Sequence, residues 1–293
     1  MSWRVTLACN RAEGEAVGAM DDPFPDHPSP PVIVADEPDE HCPDDWRIHA
    51  YFEGEPTAAD LAVLQGLASG EPVVELLADE DWVTVSQAGL EPIRAGRFFV
   101  HTPAHAAREG AINFLIDAGL AFGTGHHHTT RGCLDALDRL AVGGRRFGNV
   151  ADIGTGTGLL AFAALALWPE ARAIATDIDP ISIDVTADNA RANGVTIGEG
   201  AGALALAVAD GMDHPALAER APFDLLIANI LAGPLIELAP AFSVAVETGG
   251  MLLLSGLLDT QAEAVADAYQ TKGCRLVDAG SGEWRVLTLE RSA

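Results

Sequence analysis

At 293 residues the chain is long enough for one large domain or two unequal ones, and 48% hydrophobic residues suffice for a full core. Its formal charge is −26, from 43 acids and 17 bases, and residues 1–100 alone hold 20 acids against 5 bases. That balance argues against broad nucleic-acid contact, which needs basic patches, and leaves attraction of a basic partner or a merely solubilising surface open.

Apolar stretches such as Leu159 to Trp168 are too short to span a bilayer, and Met1-Ser2-Trp3-Arg4 opens no secretion-signal pattern. Cys9, Cys42, Cys133 and Cys274 form no CxxC pair and no zinc spacing, so a cytoplasmic protein with free thiols is expected. Ser2 to Cys9 alternates polar and apolar residues and reads as a strand. A short helix over Glu13 to Met20, a proline- and aspartate-rich loop over Pro23 to Pro31, and strands over Val32 to Ala35 and Arg47 to Phe52 follow. Thr57 is placed to cap a helix through Ala68; Val73 to Leu77 reads as a strand and Asp81 to Ala88 as a short helix. Together these predict a small α+β domain over residues 1–92, then a connector over 93–112 with a strand at Arg97 to Val100.

The remainder, 113–293, alternates strands and helices. Gly119 to Gly125 reads as a flexible loop holding Phe122. His126, His127 and His128 follow, and Thr129 or Thr130 is placed to cap a helix over Arg131 to Leu140. Adjacent histidines rarely point at one centre, and Pro103 breaks any helix joining His101 to His105, so no metal site is expected. The densest signal is Asp152-Ile153-Gly154-Thr155-Gly156-Thr157-Gly158. An apolar strand from Phe147 runs into it, and a helix over Leu159 to Trp168 runs out. Strand, glycine turn and helix place backbone N–H groups and a helix N-terminus beside a ligand, and glycine lets that ligand lie against the backbone. Asp152 can brace the turn or receive a charged ligand group. The next strand ends in Asp177, where an acidic residue commonly binds a ribose hydroxyl pair.

A helix from Pro180 to Asn193, a strand from Ala203 to Val208 ending near Asp210, and an apolar strand from Phe223 to Ala228 ending in Asn229-Ile230-Leu231-Ala232 continue the alternation. Then come a helix over Pro234 to Val246, a strand over Met251 to Leu254 and a helix over Asp259 to Lys272. Arg275 to Ala279 and Trp284 to Leu289 are joined too closely to be parallel. The expected fold is α/β, a Rossmann-like, mostly parallel sheet with a terminal antiparallel hairpin.

These residues resemble the class I methyltransferases that use S-adenosylmethionine and, more narrowly, the bacterial family that methylates ribosomal protein L11 of the large subunit. Four motifs in order carry the likeness: Gly119 to Gly125 with Thr129-Thr130, Asp152 to Gly158, Asp177-Ile178-Asp179-Pro180, and Asn229 to Pro234. The family usually has Thr-His-Pro where His126 to His128 stand and Pro where Ala118 stands. The resemblance implies cofactor contacts at Thr130, Gly154, Asp177 and Asn229, and a substrate-recognition role for residues 1–92. Gly156 belongs to the same turn; Phe122 is placed to cover the cofactor or to anchor its loop, and Asp210 to accept from the adenine amine or stand as a solvated turn residue. For the chemistry, the Asn229 side-chain oxygen and the Ile230 carbonyl suit holding an amine in line. The resemblance implies methylation of α-amino and lysine ε-amino groups of a basic ribosomal protein; the acidic balance and short apolar runs lead us to expect no direct nucleic-acid or membrane contact, and a monomer is expected. Rival readings are methylation of another protein or small molecule, a nicotinamide-dependent oxidoreductase, and a cofactor-sensing module without catalysis. The glycine pattern is GxGxG and not GxGxxG, which disfavours the oxidoreductase.

Overall fold

The computed structural model describes residues 2–19, 23–24, 27, 29–36, 46–77, 92–116 and 127–292. The helix expected over 81–88, the glycine loop with Phe122, and His126 lie outside these residues. The chain forms two compact units divided near residue 86.

The first unit is a four-stranded antiparallel sheet in the order β2-β3-β1-β4, from β1 (Ser2–Cys9), β2 (Val32–Asp36), β3 (Trp46–Phe52) and β4 (Val73–Leu77). Among the described residues two helices belong to it, α1 (Arg11–Ala19) and α2 (Ala58–Gln65). Strand alternation turns Val5 and Leu7 of β1 and Ile48 and Ala50 of β3 inward, where Phe24 and Leu64 join them in one core. The other face carries the Arg4–Glu75 ion pair at 2.7 Å and the exposed Val32, Val34 and Val73. Thr57 caps α2 as its sequence predicts. Its hydroxyl accepts from the Asp60 N–H at 3.3 Å, and the Asp60 carboxylate accepts from the Thr57 N–H and hydroxyl, both at 2.7 Å.

The second unit begins with a three-stranded sheet, β5 (Ile93–Ala95), β6 (Phe98–His101) and β7 (Ile112–Leu115). Much of the stretch read as a connector is therefore strand. The main sheet has eight strands: β8 (Asn149–Ile153), β9 (Arg172–Asp177), β10 (Thr196–Ile197), β11 (Ala203–Val208), β12 (Phe223–Asn229), β13 (Val246–Leu258), β14 (Cys274–Asp278) and β15 (Trp284–Arg291). Their order is β10-β11-β9-β8-β12-β13-β15-β14, and every pair is parallel except the two made by β15. The terminal hairpin is thus present, with its second strand inserted between β13 and β14.

The helices are α3 (His127–Val142), α4 (Leu159–Leu167), α5 (Pro180–Ala192), α6 (Pro215–Arg220), α7 (Ala232–Ala245) and α8 (Asp259–Gln270). Parallel strands covered on both faces read as continuous apolar runs, and the two faces have separate cores. Val150, Leu225, Ile227 and Leu253 pack with Leu134 and Leu137 of α3 and Phe162 of α4. Ala151, Ile174, Leu226 and Leu252 pack with Leu235 and Phe242 of α7 and Val265 and Tyr269 of α8. Strand β13 is much longer than its expected four residues: pairing starts at Val246 and resumes at Met251 across an irregularity that takes in Gly249, at φ +82°. Helix α3 begins at His127, so Thr129 and Thr130 lie inside it and neither is its cap.

Thr57→Ala removes the reciprocal cap of α2 and should cost about 1 kcal/mol of local stability. Hydrogen exchange across α2 reads this directly, and unchanged protection would show the cap to be dispensable.

Candidate active site

The site is built where β8 gives way to the glycine turn. Gly154, Gly156 and Gly158 have φ of +73°, +56° and +85°, conformations that only glycine adopts cheaply. The Gly154 and Thr155 N–H groups both donate to the Thr176 carbonyl, at 2.8 and 2.9 Å, which ties the turn to the end of β9. Asp177, the next residue, accepts from the Gly156 N–H at 2.9 Å and the Asp179 N–H at 3.1 Å, one on each carboxylate oxygen. Helix α5 fastens the far side: the Thr186 hydroxyl donates to the Gly156 carbonyl at 2.8 Å, and Asn189 Nδ2 to the Thr157 carbonyl at 3.0 Å. Each Asp177 oxygen keeps acceptor capacity beyond its one backbone bond, and the half-buried residue ends its strand at the carboxyl edge where α/β sheets bind ligands.

Asp152 is 1% exposed. Its Oδ2 accepts from the Thr155 hydroxyl at 2.7 Å and the Ala161 N–H at 3.1 Å, bracing the turn and the start of α4. Its Oδ1 is buried and has no partner. Burial pushes this carboxyl up to about 6 against the pull of those two bonds, and the nearby Asp177 charge adds to the rise.

Asn229 ends β12, paired with Ser255 on β13, and its Oδ1 is also buried without a partner. Ile227 pairs with Asp152, and strand alternation then puts Asp152, Ile227 and Asn229 on the face covered by α3. Two orphaned acceptor oxygens therefore project from adjacent strands on one face. A buried acceptor without a donor costs about 1–3 kcal/mol, so the pair fits a ligand that brings N–H or O–H groups. On α3, Thr129 is fully buried and Thr130 half-buried. Beneath them the Cys133 thiol is pushed up to about 12 by burial, against a hydrogen bond with Ser255.

Ile230 lies against Gly154: a Cβ built on that glycine would sit 2.3 Å from Ile230 Cγ2. The structure thus brings Gly154, Gly156, Asp177, Asn229 and Ile230 to one edge of the sheet. Asp210, exposed beyond β11, sits in a turn closed by the Asp213 N–H on the Asp210 carbonyl at 3.0 Å. Sequence reasoning missed the clamp by Thr186 and Asn189, although polar residues three apart on the inner side of a helix signal it, and it missed Gly256. His101 and His105 turn to local partners, Thr102 O at 3.0 Å and Thr102 Oγ1 at 3.4 Å. Among the described residues no three His, Cys, Asp or Glu side chains converge on a metal position, and no helix is long and apolar enough to cross a membrane.

The Asp152 carboxyl has a pH signature. Its folded value lies above its ordinary one, so the native state binds more protons than the unfolded chain between about pH 4 and 6. The stability it supplies is greatest in acid and is lost as pH rises through about 6, a swing of about 3 kcal/mol. Relative to wild type, Asp152→Asn should therefore gain stability as pH rises from 4 to 7 in urea unfolding. A difference that does not change with pH would overturn this.

Residues 12–292 match the family described as "Ribosomal protein L11 methyltransferase (PrmA)". The chain is 42% identical over 275 residues to the ribosomal protein L11 methyltransferase of Brucella suis, 92% of each chain. It is 40% identical over 282 residues to that of Mesorhizobium japonicum, covering 94% of this chain and 93% of the other. Among solved structures, the ribosomal protein L11 methylase of Lactobacillus delbrueckii subsp. bulgaricus superposes with a TM-score of 0.57 at 27% identity, over 70% of this chain and all of that one. The order of strands, the glycine turn and the match across nearly the whole sequence agree: the chain belongs to the ribosomal protein L11 methyltransferase (PrmA) family.

Proposed function

We propose that this protein transfers methyl groups to α-amino and lysine ε-amino nitrogens of ribosomal protein L11, with S-adenosylmethionine as donor. The observation that carries the reading is the Asn229 side-chain oxygen, buried without a partner at the carboxyl end of β12 beside the glycine turn. When bound, the cofactor supplies an electrophilic methyl group on a sulfonium. Gly154, Gly156 and Thr130 would hold its amino-acid part, Asp177 would take the ribose hydroxyls, Phe122 would cover it and Asp210 would accept from its adenine amino group.

The acceptor nitrogen must be neutral. For a free lysine with a pKa of about 10.4, deprotonation near pH 7.4 costs about 4 kcal/mol, and for an α-amine much less. Desolvation in the site disfavours the cation and offsets part of that, while the proton leaves to solvent before transfer. The neutral amine then keeps N–H groups that need acceptors. Asn229 Oδ1 and the Ile230 carbonyl take them and turn the lone pair toward the methyl carbon. Positioning of this kind supplies much of the rate without a dedicated base. The charge of −26 draws in a basic protein and disfavours nucleic acid. We assign recognition to residues 1–92, a separate acidic region without catalytic groups, in a monomer acting in the cytoplasm.

Mass spectrometry of ribosomal protein L11 incubated with the protein and S-adenosylmethionine tests the activity; an unmodified L11 would refute it. Asn229→Ala should lower the single-turnover rate by roughly 10²-fold at saturating cofactor, with the melting temperature nearly unchanged. A folded variant with normal turnover would remove Asn229 from the orienting role. A chain beginning at Ile93 should keep affinity for S-adenosylhomocysteine and lose methylation of L11. Full methylation by that shortened chain would show that recognition lies elsewhere.

A further inference from the structure

The turn that holds Asn229 is seated between two glycines from different strands. Gly154, in the cofactor turn, has φ +73°, and a Cβ there would lie 2.3 Å from Ile230 Cγ2 and 3.8 Å from Ile230 Cβ. Gly256, in β13, has φ +86°, and a Cβ there would lie 2.3 Å from Ile230 O, 2.7 Å from its carbonyl carbon and 3.0 Å from its nitrogen. Gaps this small leave no room for a side chain at either position. The side chain of Ile230 therefore rests on Gly154 and its backbone on Gly256, while Ile230 packs on the core shared with α7 and α8. Gly256 directly follows Ser255, the strand partner of Asn229.

We propose that Ile230 and Gly256 are positioning residues that lock the acceptor turn to the cofactor turn, the Ile230 side chain seated on Gly154 and its backbone on Gly256. This rests on the amine-orienting reading of Asn229 and deepens it. With Cγ2 filling the space over Gly154, neither turn shifts without displacing the other, so the acceptor atoms and the cofactor cradle keep one spacing. In-line transfer needs that spacing, because a misplacement of about 1 Å can cost about 10²-fold in rate.

The test uses the full chain and three readouts: affinity for S-adenosylhomocysteine, single-turnover rate at saturating cofactor, and melting temperature. Gly154→Ala should weaken binding. Adding Ile230→Ala removes Cγ2 and leaves only the 3.8 Å contact, so it should recover about tenfold of that loss, an ordinary coupling between touching residues. The strain of alanine at φ +73° is common to both arms and cancels. Ile230→Ala alone should lower turnover about tenfold, and Ile230→Val, which retains Cγ2, should recover most of it. Gly256→Ala should lower turnover and should not be relieved by Ile230→Ala, because its clash is with backbone. If Gly256→Ala does not fold, the Gly154 and Ile230 cycle decides alone. Additive losses in that cycle, or wild-type turnover in Ile230→Ala, would overturn the proposal. Normal turnover in Asn229→Ala would defeat the amine-orienting reading and leave a coupled binding cycle standing, so the two failures are distinguishable.

Discussion

One carbonyl oxygen organises the site. Thr176 O takes N–H groups from both Gly154 and Thr155, folding the chain back over the end of β9 as it leaves β8. Two successive donors reach one acceptor only if the backbone reverses tightly, and the positive φ of Gly154 makes that reversal. The rest follows from this geometry. Asp177, next after Thr176, reaches Gly156; α5 reaches the carbonyls of Gly156 and Thr157; and Gly158 starts α4 within contact of Phe162 and Thr186. The turn is thus held from β9, α5 and α4.

A frame so completely bonded makes its exceptions informative. Asp152 spends one oxygen on the turn and leaves the other bare, and Asn229 leaves its oxygen bare one strand away. Most buried polar atoms in folded proteins find partners, and unmet groups persist where the surrounding structure overdetermines them, typically at functional sites. Thr176 Oγ1 and Arg220 Nε are also buried without a partner, but Asp152 Oδ1 and Asn229 Oδ1 are the two that stand on the face covered by α3, and both are acceptors. The scaffold is preorganised for donors, which is the polarity of an amine.

Much of this architecture was legible because each feature has a local cause. Strands β8 and β12 are apolar runs because both their faces are covered, and the glycine turn is visible because nothing else adopts those dihedrals. Asp179 followed by Pro180 marks the start of α5, and the structure has Asp179 capping it. The missed elements depend on partners far away in sequence. Strands β5 and β7 are three and four residues long and gain order only by pairing with β6. Thr186 and Asn189 look like ordinary helix residues until the turn about thirty residues earlier is placed beneath them. Gly256 looks like a break in an apolar strand until Ile230 is laid across it. Family likeness offered Asn229 only as a cofactor contact, and its fitness to hold an amine follows from an acceptor oxygen at a strand end, since no spacing rule singles out an asparagine there.

The position of β15 decides how the far edge of the main sheet is closed. From β8 to β13 the strands of the main sheet join in parallel pairs: β9 and β12 flank β8, β11 joins β9, β10 joins β11, and β13 joins β12. Strand β14 breaks the sequence, because its only neighbour in the sheet is β15, the strand made after it. Without β15, the backbone edge of β13 would stand open along the buried apolar run Met251 to Leu254. Strand β15 thus fills the slot between β13 and β14 and gives β14 its place, so a chain shortened before it would present an adhesive apolar margin.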